Sequence, residues 1–363
     1  MSRPFKLLGF DHVGYVVGNA KQAAHYYETV FGFHRVAYRG LETGERDLTS
    51  YVLRQNDVIF VLNTPLTSAS GLNDHLRKHG DGVNNIAFGV DNAEAAWKHT
   101  TSNGAKSVQE PVTLSDDGGD VVTSAIQTYG DTIHTFVQRE GYKGAFMPGF
   151  EPDESKIEIA PVGLQFVDHA VGNQPDGKME EVVNFYQNIF GFKRLWTVDD
   201  DDVSTEFTAL RSVVVSDEDE VIKMPINEPA AGKKKSQIQE YVDFYDGPGV
   251  QHLAMYTDDL ITTIRQLRAK GVDFLPTPQA YYNNLEERVG KIDEDISVLT
   301  ELDILVDKDE DGYLLQLFTR PVQDRPTLFY EFIQRKGARS FGKGNFKALF
   351  ESIEREQELR GNL

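Results

Sequence analysis

The feature that most constrains this chain of 363 residues is an internal repeat. The run FDHVGYVVGN at 10–19 returns as VDHAVGN at 167–173, and YYETVFGF at 26–33 returns as FYQNIFGF at 185–192. GDGVNNIA at 80–87 is echoed by GPGVQHLA at 247–254, and TFVQR at 135–139 by EFIQR at 331–335. Four echoes in one order identify a duplication rather than coincidence. Each half divides again, because a strand such as 166–172 or 250–256 leads into a helix and then into further strands. The helix after Met255 is marked by a cap at Thr257 or Asp258, by Leu260, Ile264 and Leu267 at helical spacing, and by Gly271 beyond its end. The reading is an α+β fold of four β-α-β-β-β modules, two per half, forming two open β-barrel domains over 1–150 and 151–363. The segment from Gly141 to Gly163 links them. Residues 216–247, with Met224-Pro225-Ile226-Asn227-Glu228-Pro229 and Lys233-Lys234-Lys235, read as a long excursion, the lysines solvated. A helix near 345–360 closes the chain with an apolar stripe of Phe346, Leu349, Phe350 and Ile353.

Composition narrows the chemistry. A net charge of −20 disfavours nucleic acid and anionic membrane surfaces as partners. The chain has no apolar run of about 18 residues and no signal-peptide core, so it reads as soluble, untargeted and cytoplasmic. With 0 cysteines, disulfides, thiolate catalysis and cysteine-held metals are excluded. Any metal must be held by His, Asp and Glu.

Thr327 to Arg335 reads as a strand buried on both faces, with one carboxylate, Glu331, sharing its side with Phe329 and Ile333. Taken singly, Glu331 fits a salt bridge to an arginine. The second half contains two histidines, His169 and His252, each on the opening strand of one of its modules. Singly, each fits a hydrogen-bonded core residue. His169 alternates with Val167 and Val171, and His252 with Val250 and Ala254. If those faces line one barrel with Glu331, the three converge. Two imidazoles and one carboxylate are the ligand set of non-haem Fe(II) oxygenases, which leave coordination positions open for substrate and O₂. The first-half counterparts are His12, Asn85 and Thr135, so that half is expected to be metal-free and structural. Asp307 to Gly312 opens like a calcium loop, but Phe318 stands where the bidentate Glu is required, and a solvated acidic turn is the better reading. Gln251 and Gln316, with Asn227 and Gln237, fit either structural amides or a few polar groups placed in an apolar pocket.

With these residues assembled, the chain resembles the 4-hydroxyphenylpyruvate dioxygenase family of the vicinal oxygen chelate (glyoxalase-like) group. The carriers are Val167-Asp168-His169, Pro225 to Pro229, Gly232 to Ile238, Gly249 to His252, Gly312 to Gln316, Pro321 to Thr327 and Phe341 to Phe346. The resemblance covers nearly the whole chain. It implies Fe(II) on His169, His252 and Glu331, with Gln251 and Gln316 tuning the metal site. It implies that Ser212, Asn227 and Gln237 orient the phenol or keto acid, and that Phe318, Phe341 and Phe346 pack on the substrate ring. Asn345 would lie beside them at the start of a C-terminal gating helix. The implied reaction takes 4-hydroxyphenylpyruvate and O₂ to homogentisate and CO₂ in tyrosine catabolism, in a homo-oligomer. The competing readings are 4-hydroxymandelate synthase, with the same iron and substrate, and a metal-free protein of this fold that binds an aromatic ligand.

Overall fold

The computed structural model describes residues 3–155, 157–198 and 208–363. The first half contributes β1 (Leu7–Val16), β2 (His34–Arg39), β3 (Leu48–Gln55), β4 (Val58–Pro65), β5 (Gly82–Val90), β6 (Ser107–Asp116), β7 (Gly119–Gln127), β8 (Ile133–Gln138) and β9 (Glu151–Pro152). They form one sheet in the order β6-β7-β8-β5-β1-β4-β3-β2-β9. The second half contributes β10 (Leu164–Asn173), β11 (Lys193–Val198), β12 (Ala209–Ser216), β13 (Lys223–Ala230), β14 (Gly249–Thr257), β15 (Leu305–Lys308), β16 (Tyr313–Phe318) and β17 (Phe329–Lys336). Their order is β11-β12-β13-β10-β14-β17-β16-β15. In every module the first strand pairs in parallel with the fourth, as β1 with β4, β5 with β8, β10 with β13 and β14 with β17. The two modules of a half join through antiparallel first strands. This is the expected four-module architecture, each sheet curling into an open barrel.

The helix that follows the first strand ends alike in both halves, on Gly32 (φ 72°) and Gly191 (φ 68°). The left-handed backbone there favours glycine, which explains why Phe-Gly-Phe recurs.

Two local expectations are corrected. Residues 216–247 are not an excursion, since 223–230 form β13, an interior strand flanked by β12 and β10. The prolines disguised it. The Asn227 carbonyl accepts from Gln174 N at 2.8 Å, so odd-numbered residues of β13 turn their main chain toward β10. Pro225 and Pro229 therefore remove donors on that side only, and the parallel ladder with β10 shrinks to two pairs, against four for β1 with β4. Second, the helix after Met255 (Leu260–Ala269) is capped by Asp259, whose carboxylate accepts from Thr262 N; neither Thr257 nor Asp258 caps it. The linking segment also supplies β9 to the first sheet. Two short helices, Leu285–Val289 and Ile296–Glu301, went unread because each spans little more than one turn.

One continuous apolar core joins both halves. At its centre Tyr330, fully buried, places its hydroxyl 3.1 Å from that of Tyr15 and 2.7 Å from that of Tyr27. Elsewhere in the interior, His134 Nδ1 donates to the Ile86 carbonyl and Nε2 accepts from the Tyr186 hydroxyl, both at 2.8 Å. Burial keeps this imidazole neutral, its pKa pushed down to about 4 from 6.5. An unfolded chain takes up a proton below about pH 6.5 that the folded chain refuses until about pH 4. Stability is therefore expected to fall by about 3 kcal/mol across that interval on this account. Urea midpoints of wild type and His134→Gln at pH 7 and 4.5 check this, the variant losing less on acidification. No helix among the described residues is long and apolar enough to cross a membrane.

Candidate metal centre

Three adjacent strands assemble the site. His169 on β10 pairs across with Ala254 on β14, and Ala254 pairs on its other side with Glu331 on β17. The small Ala254 side chain thus sits between His169 and Glu331, with His252 two residues back on the same strand. His169 Nε2 lies 3.2 Å and His252 Nε2 3.4 Å from Glu331 Oε2. All three residues are buried, with ligand atoms within 4.8 Å of one another. Among the described residues no other group of three His, Asp or Glu side chains is so placed.

Two β-bulges aim the imidazoles. Val167 opposes Met255 and His169 opposes Ala254, which leaves Asp168 as an extra residue in its strand. Likewise Val171 opposes His252 while Gly172 opposes Val250, which makes Gln251 extra in the facing strand. Consecutive strand residues normally point to opposite faces; a bulge re-aims one of them. Each bulged residue therefore reaches its neighbouring histidine, Asp168 Oδ1 and Gln251 Oε1 each standing 2.8 Å from Nδ1. The bulges also correct the expected faces. Val167 and Val250 belong to the central core on the opposite side, with Ala170 and Leu253, so each histidine shares its face with the residue two positions later but not two earlier.

The donor set fits a metal. Both Nδ1 positions face acceptors, so in the neutral imidazoles Nε2 is free to donate a lone pair. Adjacent donors on an octahedral ion at about 2.1 Å stand about 3 Å apart, close to the two imidazole–carboxylate spacings of 3.2 and 3.4 Å. Burial pushes the Glu331 carboxyl up, but His169 and then His252 outweigh it and hold it down at about 2. Burial also opposes charge on His169, yet Glu331 and Asp168 raise it above its ordinary value, whereas His252 is lowered, with burial the main cause. A buried anion facing two imidazoles is the electrostatic setting a divalent cation completes.

The first half repeats the scaffold with only one of the three ligand types, His12. Asp11 and Asn84 are bulged in the same way, and His12, Asn85 and their partners keep the registers of His169 and His252. However, Asn85 Oδ1 accepts from Thr135 N at 3.2 Å, and Phe146 and Phe150 pack with Ala37, Val52 and Val61 in a small core of their own.

Around the triad the expected residues fall into two groups. Gln316 Nε2 donates to Glu331 Oε1 at 3.2 Å, and Gln316 Oε1 accepts from Asn345 Nδ2 at 3.0 Å. Gly342 (φ +77°) permits this closeness, since a Cβ there would fall 1.9 Å from Gln316 Oε1. Phe318, cross-strand partner of Glu331, meets His252 edge-on at 6.0 Å, and Phe341 meets His169 edge-on at 5.2 Å. Gln237 and Gln251 line a small, partly open cavity of about 30 Å³ together with Phe329 and Ile353. Ser212 and Asn227 stand further out, paired with each other on β12 and β13, and Asn227 lies 3.4 Å from Asn173. The C-terminal helix (Phe346–Leu359) lays Leu349, Phe350 and Ile353 against Phe318 and Phe329, and so covers the barrel mouth.

Four contributors were missed in the sequence. Phe329 stacks on His252 at 4.8 Å, and Trp196 lies 6.3 Å from Phe341 and 5.8 Å from Phe346. The Tyr281 hydroxyl is 2.6 Å from Asn345 Oδ1. Arg335 grips Asp168 with two nitrogens; its signal was the Asp-His and Gln-Arg pairs recurring in both halves.

Duplicated β-α-β-β-β modules around a buried His-His-Glu face place the molecule among metal-dependent proteins of the glyoxalase kind. The family model described as the Glyoxalase/Bleomycin resistance protein/Dioxygenase superfamily matches residues 166–317. A second, described as Hydroxyphenylpyruvate dioxygenase, HPPD, N-terminal, matches residues 1–147. A 4-hydroxyphenylpyruvate dioxygenase of Aspergillus fumigatus is 51% identical over 98% of this chain and 94% of its own. One of Danio rerio is 50% identical over 99% and 93%. A solved structure, that of a mutant 4-hydroxymandelate synthase from Streptomyces coelicolor, superposes with a TM-score of 0.84 at 31% identity, covering 96% of this chain and 98% of that one. The chain belongs to the 4-hydroxyphenylpyruvate dioxygenase family.

Proposed function

We propose that this protein converts 4-hydroxyphenylpyruvate and O₂ to homogentisate and CO₂ in tyrosine catabolism, with Fe(II) held by His169, His252 and Glu331. The observation that carries the reading is the buried triad, whose donor atoms converge in a family of dioxygenases. When bound, the ion supplies open coordination positions and the redox chemistry that O₂ activation requires. The chain's own residues do the rest. Asp168 and Gln251 hold the proton at Nδ1 of each histidine, which keeps Nε2 turned to the metal. Gln316 holds one Glu331 oxygen, leaving the other to the ion. Phe318 and Phe341, with Phe346 behind, form the walls that fix a substrate ring, while Ser212, Asn227 and Gln237 orient its polar ends. The C-terminal helix, with Asn345 at its start, gates the mouth and excludes water during turnover. In this reading residues 1–150 form the metal-free structural half and residues 151–363 the catalytic half. The working protein is a cytoplasmic homo-oligomer.

The likeness to a 4-hydroxymandelate synthase mutant motivates a second reading, in which the same substrate is hydroxylated on its side chain. Identity favours the first, at 51% against 31%. Incubation of the Fe(II)-loaded protein with 4-hydroxyphenylpyruvate in air, followed by chromatography, is expected to give homogentisate. 4-Hydroxymandelate as the product would establish the rival. No O₂ uptake with Fe(II) bound would leave only a ligand-binding protein.

A further inference from the structure

Arg335 closes a ring of four side chains at the metal centre. Its Nε and Nη2 donate to the two Asp168 oxygens at 2.9 and 2.8 Å, and Asp168 is the Nδ1 partner of His169. Its Nη1 donates to the carbonyls of Ala338 and Ser340 at 3.2 and 2.6 Å, the turn that delivers Phe341. The guanidinium carbon lies 5.5 Å from the centre of the Phe341 ring, whose edge meets His169. We propose that Arg335 is a positioning residue that sets the ligand His169 and the aromatic wall Phe341 against each other, so that metal affinity and substrate fit depend on one guanidinium. The inference rests on the metal centre proposed above. Only a planar fork can serve both ends at once; a lysine offers a single point charge.

The first half contains the same ring and serves as an internal control. Arg139 donates to both Asp11 oxygens at 2.9 and 2.5 Å, and its guanidinium carbon is 4.8 Å from the centre of the Phe146 ring. Asp11 holds His12 Nδ1 at 2.6 Å, and Phe146 meets His12 edge-on at 5.3 Å. The four-residue device is thus built by the fold. In the second half alone it touches a metal ligand and the pocket wall.

The test compares Arg335→Gln with Arg139→Gln in the full-length protein. Affinity for Co(II) is measured by competition with a fluorescent chelator, and KM and kcat are measured for 4-hydroxyphenylpyruvate with Fe(II). Arg335→Gln is expected to weaken Co(II) binding by roughly 10-fold, the low end of the cost of losing a ligand's own hydrogen-bond partner, since Asp168 stays in place and Lys223 still reaches it at 3.3 Å, and to raise KM. Both variants should lower the melting temperature of the metal-free protein to a similar extent, but Arg139→Gln should leave Co(II) affinity and KM within about twofold of wild type, its ring standing apart from the triad. Arg335→Lys is the milder variant should Arg335→Gln fail to fold. It should weaken Co(II) binding and raise KM by about threefold or more, because the charge is kept but the fork is lost. Wild-type Co(II) affinity and KM in a folded Arg335 variant would overturn the proposal, as would equal losses in the Arg139 variant. Co(II) binding is read without substrate. A wild-type protein that fails to bind Co(II) therefore defeats the metal centre itself, whereas binding that ignores Arg335 defeats this inference alone.

Discussion

Replacing Glu331 with Gln is expected to abolish turnover and the capacity to retain iron, while leaving the fold in place. The substitution keeps the side chain's shape, and Gln316 beside it can still make a hydrogen bond. What disappears is the negative charge of the one carboxylate among the three proposed ligands, all of them buried. A divalent ion there would face two neutral imidazoles and an amide, with its charge largely uncompensated. The loss of turnover should reach about 10³-fold or more, beyond the roughly 10- to 100-fold that follows when only a supporting residue is removed. Two measurements separate this from misfolding. Fe(II) is expected to raise the melting temperature of the wild-type protein by binding its folded state; in the variant that rise should be absent, and iron content after gel filtration should fall to background. The melting temperature of the metal-free variant should stay near that of metal-free wild type. Stoichiometric iron together with homogentisate formation in Glu331→Gln would remove this residue from the ligand set.

The duplication was legible because it preserves whole strings such as Phe-Gly-Phe, fixed by left-handed glycines after a helix. The triad was legible because His, His and Glu coincide only in the second half, while the first half offers His12, Asn85 and Thr135 at the same registers. What sequence periodicity could not show was the pair of bulges. A bulge is a slip between two strands, and neither strand alone records it. So the face assignments of Val167 and Val250 failed although the histidines were placed correctly. Strand β13 was hidden for a different reason. Pro225 and Pro229 argue against an interior strand unless the missing donors all fall on one side, and that is known only once the neighbour is known. Arg335 stood within the quoted EFIQR repeat, but its value depends on Asp168, far away in the sequence, which the bulge turns toward His169.

Tyr330→Ala should be the most damaging substitution outside the site, at about 4 kcal/mol, within the range for emptying a large buried aromatic position. Tyr330 and Glu331 are neighbours on one strand and face opposite ways. Glu331 faces His169 and His252, while Tyr330 packs against Tyr27, Phe31 and Phe60 of the first half, with ring centres 5.3 to 6.1 Å apart. The alanine variant opens a cavity where the cores of the two halves meet, and it strips the hydroxyls of Tyr15 and Tyr27 of their shared partner. Tyr330→Phe, which keeps the packing and removes only the hydroxyl, should cost about 1 to 2 kcal/mol. Urea denaturation followed by fluorescence and circular dichroism would read both values, and the alanine variant is expected to show separate transitions for the two halves. Its metal affinity should fall as well, because the strand that carries Glu331 is anchored from behind by this residue; the phenylalanine variant should hold metal as wild type does. A single cooperative transition with less than about 1 kcal/mol lost in Tyr330→Ala would mean that the halves are joined elsewhere, and that the strand keeps Glu331 in place without help from the other face.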